Sequence, residues 1–488
     1  MPIEELDREQ LEELAEANAS VSVSARSLLA LVVKLERLEE ENVGLKRTSR
    51  TSSKPPSSDR NNLDKPDKKK RTRKSGKRKR KPGAQKGHQG KTLKQVADPD
   101  NVLIHPIDGK CAHCDTDLHG VKGDGYEKRQ VFDLPEKITM EVTEHRAEKG
   151  TCHCCAKPVK ATFPEGVNAP VQYGERTQSM VLYMQTYQLL PCERLSEFFT
   201  DVFDCSLSTG TICRMLVRST QKTAPIMIAI KGKIREGPFI HSDETGLSLS
   251  GKIHWLHTAS NSELTYLYID RHRGEPAMRA MAVLEGYTGF VIHDYLSSYY
   301  RITGIQHGLC NAHHIRDLIC VHEEHGQRWA SDMIKLLLEA KTLKDRERDG
   351  GRCVGDRTLS RLECRYFEIL DKGYILNPEP ERRPGQRGKL KRGKPLNMLN
   401  RFLDRHLEVM AFLIYGVPFD NNQAERDLRM MKIKQKISGC FRNLDQAQAF
   451  AALRSIISSA KKQTINVLQI LQATLSNPQK AQEMLRGT

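Results

Sequence analysis

The sequence predicts a multidomain α/β protein, and three patterns carry that prediction. Apolar runs between Pro238 and Leu309 follow the order strand, strand, strand, helix, strand. Paired cysteines at 111–114 and 152–155 mark a separate small unit, and leucines recur at heptad spacing before position 50. At 488 residues the chain has length for about three domains.

Residues 1–50 read as a helical segment. Leu28, Leu35 and Asn42 fall at heptad position a and Leu31, Leu38 and Leu45 at d, with Glu36, Arg37, Glu39 and Glu40 beside the seam. That pattern suits a short coiled coil making a homodimer or higher oligomer, the lone Asn fixing a parallel register. It also suits an amphipathic helix packed on its own chain. The first ten residues are acidic and the run Leu28–Val33 is too short for a bilayer span or a signal core, so no membrane partner is expected.

Residues 51–100 form a basic linker. Between Arg60 and Lys91 stand fifteen Lys or Arg against Asp64 and Asp67, a net +13 out of the chain's +17. Without apolar periodicity such a run is expected to stay disordered and to lie over DNA phosphates, through Lys68, Lys69, Lys70, Arg71, Arg73, Lys74, Lys77, Arg78, Lys79, Arg80 and Lys81. A solubilising linker is the plainer alternative.

Residues 101–165 carry Cys111-x-x-Cys114 and Cys152-x-x-Cys155, 37 residues apart, the thiolate pattern of one structural zinc. Cys154 or His113 are alternative ligands, and four thiolates leave no open position for catalysis. Val131–Pro135 and Ile138–Val142 look like strands of this unit. Residues 166–236 are helical in composition; Glu193–Phe203, the turn at Leu207 and a helix capped by Ser208 or Thr209 fit either a helix-turn-helix or an ordinary helix pair.

Residues 237–460 hold the most informative segment. Pro238–Ile240 runs into Asp243, Ile253–Thr258 and Leu264–Ile269 form a hairpin, Pro276 opens a helix over Ala277–Leu284, and Phe290–Ile292 runs into Asp294. Ile305–Leu309 suits a fifth strand and Asn311–Val321 a helix. This is the ribonuclease-H-like layout, in which a mixed sheet sets two Asp side by side. A lone strand-end Asp is commonly a turn or cap residue, but that does not explain two. A helical insertion at about 318–415 follows, with helices at Trp329–Leu343, Leu359–Ile369 and Leu396–Leu413 and a basic loop at Arg382–Lys394. Glu425 then lies on a helix capped by Asp420, Asn421 or Asn422, with Arg429, Lys432 and Lys436 on the same face to hold DNA phosphates. An ordinary solvated helix is the alternative there. Residues 461–488 read as a helical tail.

The segment Val417-Pro418-Phe419-Asp420-Asn421-Asn422-Gln423-Ala424-Glu425-Arg426, continuing through Lys436-Ile437-Ser438-Gly439 to Phe441-Arg442, resembles the C-terminal signature of the IS-sixty-six family of bacterial DDE transposases. Ser52–Asp59, Pro82–Gly90, the cysteine pairs, Ser242-Asp243-Glu244-Thr245 and Cys310-Asn311-Ala312-His313 match in family order across nearly the whole chain. One position departs: Tyr295-Leu296 follows Asp294 where the family pattern carries a Gly or an aromatic before its Tyr. The resemblance implies Asp243, Asp294 and Glu425 as a catalytic triad holding two magnesium or manganese ions, Asp243 between them. The implied activity is cleavage at the ends of an insertion sequence and strand transfer into target DNA. Small accessory proteins of the same element are possible partners. A structure-specific nuclease and a non-catalytic DNA-binding regulator are the alternatives. Cys310-x-x-His313 is read as core packing or as orienting a ligand rather than as zinc, for which His314, His322 and His325 would be the further candidates. Thirteen cysteines in a chain without an export signal suit the cytoplasm, at the nucleoid.

Overall fold

Five strands form one mixed sheet in the order Thr265–Asp270, Lys252–Ser260, Phe239–Leu249, Phe290–His293, Gln306–Leu309. A computed structural model describes residues 93–349, 354–381, 390 and 392–485. The heptad segment, the cations from Lys68 to Lys81 and most of the Arg382–Lys394 loop lie outside the described residues. The chain divides into two units, residues 62–142 with 202–204, and the remainder.

In the first unit, Val131, Leu134 and Val142 are exposed, and residues 131–142 form no strand. The β-prone composition there lacks a neighbouring strand to pair with and a core to cover, and β propensity without either does not fix a strand. Regular pairing appears further on, in the other unit, where β1 (Lys149–Thr151) and β2 (Pro158–Lys160) form an antiparallel pair around the second cysteine knuckle.

Among the described residues three α-helices precede the sheet: α1 (Glu175–Leu182), α2 (Cys192–Phe203) and α3 (Thr209–Glu236). Ser208 caps α3, its hydroxyl accepting from the Thr211 N–H. The 28-residue α3 runs into the sheet's core, where Ile226, Ile230 and Ile234 are buried.

β3 (Phe239–Leu249) pairs antiparallel with β4 (Lys252–Ser260), which pairs antiparallel with β5 (Thr265–Asp270). α4 (Glu275–Met281) then crosses to β6 (Phe290–His293), parallel to β3, and β7 (Gln306–Leu309) lies parallel to β6. Alternation along the strands divides the core into two layers. Ile240, Ala259 and Val291 pack against α3 and α4 on one face. Leu247, Leu249, Leu256, Leu267 and Ile269 face Leu428 and Met431 on the other.

Asp243 is not the end of its strand, as the sequence suggested. β3 continues to Leu249, because its hairpin partner β4 stays paired along the whole length, whereas the pairing with β6 stops at His241↔Ile292.

After β7 come α5 (Asn311–Glu324), α6 (Arg328–Asp349), α7 (Asp356–Leu376), α8 (Lys394–Asp404), α9 (His406–Val409) and α10 (Ala411–Ile414). They share a core around Trp329, Leu336, Tyr366, Phe402 and Phe412. The run Leu396–Leu413, expected as one helix, breaks at Arg405, whose φ of −123° and ψ of 25° leave the helical region. The break turns the Val409 carbonyl to accept from Asn311 Nδ2 at 2.9 Å. The chain returns to the sheet as α11 (Asn422–Ser438), followed by α12 (Leu444–Lys462), α13 (Val467–Ser476) and α14 (Pro478–Met484). Small residues let α12 lie close against the edge strand β5. Ser459 Oγ accepts from the Thr265 N–H and Ser455 Oγ from the Leu267 N–H, occupying donors that an open sheet edge would expose.

Candidate active site

β3 and β6 run parallel in register through His241↔Ile292, so Asp243 and Asp294 each come two residues past the last shared pair. Period-two alternation puts both on the face of Leu247 and Ile292, on adjacent strands about 4.8 Å apart. Each turns one oxygen back to the chain: Asp243 Oδ1 accepts from the Glu244 N–H at 2.9 Å, and Asp294 Oδ1 from the Leu296 N–H at 3.1 Å.

Asn421 brings the third acid. Its Nδ2 donates to the Ser242 carbonyl at 2.7 Å, its Oδ1 lies 2.9 Å from His241 Nδ1, and its N–H donates to Cys310 Sγ at 3.1 Å. These contacts dock the start of α11 on β3 just before Asp243. Glu425, whose N–H donates to the Asn421 carbonyl, is the next turn. Asn421 occupies the cap position expected of it, but its side chain makes no cap bond, because the amide is committed to β3. Asp420 Oδ1 instead accepts from the Asn422 N–H.

Glu425 Oε1 lies 3.4 Å from Arg316 Nη1 and 3.6 Å from His313 Nε2, both on α5. His313 Nδ1 in turn lies 3.1 Å from Cys310 Sγ. The Cys310-x-x-His313 string therefore connects the docking of α11 to the orientation of Glu425. The other histidines point elsewhere: His314 to Asn311, His322 to the Gln327 carbonyl.

The electrostatics tie the acids together. Burial pushes Asp243 well above the usual carboxylate range, and the charges of Glu244, Asp294 and Glu425 push it the same way. Glu244, on the opposite face, is raised to about 7 by burial and by Asp294, against the pull of Arg273. Arg273 Nη2 lies 3.0 Å from Glu244 Oε1, and the Tyr299 hydroxyl donates to Glu244 Oε2 at 3.2 Å. Asp243, Asp294 and Glu425 offer hard oxygen donors of the kind that suits a divalent cation of the magnesium type, while Glu244 is engaged on the other face by Arg273 and Tyr299. Among the described residues no three His, Cys, Asp or Glu side chains are drawn together closely enough to share an ion.

The cationic face of α11 is partly engaged. Lys432 Nζ donates to the Gly246 carbonyl of β3, whereas Arg429 is exposed. Lys436 is also exposed at the surface of α11.

The two cysteine knuckles have the same local form. In each, the first cysteine's N–H donates to the carbonyl five residues on (Thr116, Lys157) and its carbonyl accepts from the N–H four residues on (Asp115, Ala156). Asp115 and Ala156 both have positive φ, 63° and 53°. Hydrogen bonds hold two of the thiols below their ordinary range, Cys114 through Thr116 and Cys152 through the N–H groups of Cys155 and Cys154. Lowered thiols favour the thiolate form that binds metal.

Sequence reasoning passed over Glu244, Arg273, Arg316 and Tyr299. Glu244 stands inside the quoted Ser242–Thr245 string, but alternation assigns it to the far face, and its link to Asp294 needs the folded loop. Tyr295 has a φ of +79°, a strain that no sequence pattern announces.

A family profile described as "Transposase IS66 family" matches residues 170–449. A second, described as a family of unknown function, matches residues 4–94. No curated protein matches the chain.

Proposed function

The chain belongs to the Transposase IS66 family, and from that premise we propose that it binds insertion-sequence ends and performs DNA cleavage and strand transfer at Asp243, Asp294 and Glu425. Membership itself makes this a DNA-transposing enzyme that uses divalent metal. The finer reading is supported by one observation: Asp243 on β3, Asp294 past the end of β6 and Glu425 on α11 lie near enough that, beyond burial, the charges of Asp294 and Glu425 both push Asp243 up. The strand order, two antiparallel and two parallel pairings with β3 central, supports the ribonuclease-H-like reading.

Asp243 would hold both of two magnesium or manganese ions, Asp294 and Glu425 one each. When bound, the pair supplies activation of an attacking oxygen and charge stabilisation for the leaving oxygen of an in-line displacement at phosphorus. The chain's own part is to fix the three carboxylates. Asn421 docks α11, and Arg316 and His313 hold Glu425 against rotation. A bound cation would relieve the burial and the carboxylate repulsion that push Asp243 up. Arg429, Lys436 and the Lys68–Lys81 arm would take phosphates along the duplex. Cys111, Cys114, Cys152 and Cys155 would take one structural zinc, a reading supported by the matching knuckles and the lowered Cys114 and Cys152 thiols.

The test uses the full chain, labelled element ends or scrambled duplex, and magnesium. Strand transfer on the matched ends, abolished in D243A, D294A and E425A with end binding retained, is the expected result. A variant of the three that kept near-normal strand transfer would sink the assignment.

A further inference from the structure

Tyr295, directly after Asp294, has a φ of +79°. Glycine adopts that left-handed backbone freely; an aromatic residue does so only when its surroundings hold it there. The holders are identifiable. The Tyr295 N–H donates to His293 Nδ1 at 3.2 Å, and the ring packs against Tyr300 with centroids 5.8 Å apart. Above the ring lies the guanidinium of Arg401, from α8 of the insertion, 4.5 Å from the centroid.

Arg401 is committed to that ring. Its side chain is 24% exposed, and among the described residues its one carboxylate contact is Asp317 at 3.5 Å, a group shared with Lys394 at 3.1 Å. Its Nε is buried without a hydrogen-bond partner. A largely desolvated guanidinium over a tyrosine face gains the most from the ring. Arg405, four residues on, repeats the arrangement over Tyr300 at 4.1 Å, while Glu408 accepts from the Tyr300 hydroxyl. Two cations from the end of α8 therefore sit over two tyrosines of the loop that carries Asp294.

We propose that Arg401 is a positioning residue for the candidate active site: through Tyr295 it holds the strained turn that aims the Asp294 carboxylate beside Asp243. The geometry makes this necessary in a specific way. The Asp294 Oδ1 contact with the Leu296 N–H spans Tyr295, so relaxation of Tyr295 to negative φ swings that N–H away and frees the carboxylate to turn. The insertion then acts on the site through an aromatic contact, with no residue of its own at the acids from α8. The inference rests on Asp294 being a metal ligand.

The experiment separates the two. Full-length R401M, Y295G, the double variant R401M/Y295G and D294A are compared for manganese binding by calorimetry, end-DNA binding, unfolding midpoint and cleavage. R401M is expected to weaken manganese binding and to slow cleavage by roughly tenfold to a hundredfold, the scale of a small misplacement of a reacting group, with end binding unchanged. Y295G is expected to stay near normal, because Gly enters positive φ without the steric cost that Tyr must be held against, and R401M/Y295G to regain most of what R401M loses. A purely structural role for Arg401 gives no such rescue, and a double variant as impaired as R401M overturns the inference. R401K, which keeps a charge opposite Asp317 but loses the planar stack, carries the same test if R401M does not fold. R401M or R401K with unchanged manganese affinity beside an inactive D294A overturns the inference alone; a fully active D294A overturns the active-site reading and the inference with it.

Discussion

Replacing Asp427 by Ala tests how the Glu425 helix is locked to the sheet. Asp427 and Lys462 form a buried pair, 2.9 Å apart with side chains 7% and 11% exposed. Lys462 also donates to the Asn261 and Leu264 carbonyls at 2.9 and 3.0 Å, so one ammonium joins α11, α12 and the β4–β5 turn. At an effective dielectric of about 20 the bare attraction is about 6 kcal/mol, and burial cancels part of it. Removing the carboxylate strands the ammonium, a loss of ~3–5 kcal/mol in such pairs. The two carbonyls that remain argue for the lower end, about 3 kcal/mol. Burial already lowers the Lys462 pKa and Asp427 raises it, so the variant lowers it further. A depressed lysine lets the native state shed a proton that the unfolded state keeps, so the deficit is full at neutral pH and shrinks as pH rises toward about 10. Urea unfolding followed by tryptophan emission reads this, since one of the chain's two Trp lies in β4 and the other in α6. D427A/K462M, which removes both charges, is expected within about 1 kcal/mol of the parent protein. A D427A loss below about 1 kcal/mol at pH 7, or one equally large at pH 9.5, refutes the reasoning.

Gly289→Ala puts a Cβ 2.8 Å from the Pro238 carbonyl oxygen and 2.3 Å from the Tyr287 hydroxyl oxygen, itself bonded to the Gly237 carbonyl. The start of β6 must shift, and a loss of ~1–3 kcal/mol in denaturant unfolding is expected; no change would mean the strand slides freely. Deleting residues 60–91 is expected to weaken binding to matched and scrambled DNA by similar factors and to flatten the slope of log K against log salt. Loss of discrimination with an unchanged slope would make the arm a sequence reader. Elemental analysis of protein purified without chelator is expected to give about one zinc per chain, and its absence would remove the four-cysteine reading.

The strands were legible because alternation and turn chemistry are local. The β4 and β5 runs fell within one or two residues of the strands found, and Pro276 does open α4. What local pattern could not carry was length and partnership. β3 outlasts its apolar run because β4 supports it, and the Val131–Val142 segment stays irregular for want of a partner. Asn421 looked like a cap and is instead a bolt between α11 and β3, a role set by His241 and Ser242 some 180 residues earlier. Glu244 and Arg401 were silent for the same reason: each acts across a fold that brings distant residues together.

That separation has a temporal side. A ribosome delivers the β3 and β6 acids long before Asn421, which must find His241 across 180 positions before Glu425 can be seated. On the proposed chemistry, a growing or truncated chain that already carries the basic arm, both cysteine knuckles and two of three ligands is still unable to cut. On that reading the order of synthesis withholds the third ligand until the residues from 421 onward have been made and folded back against His241.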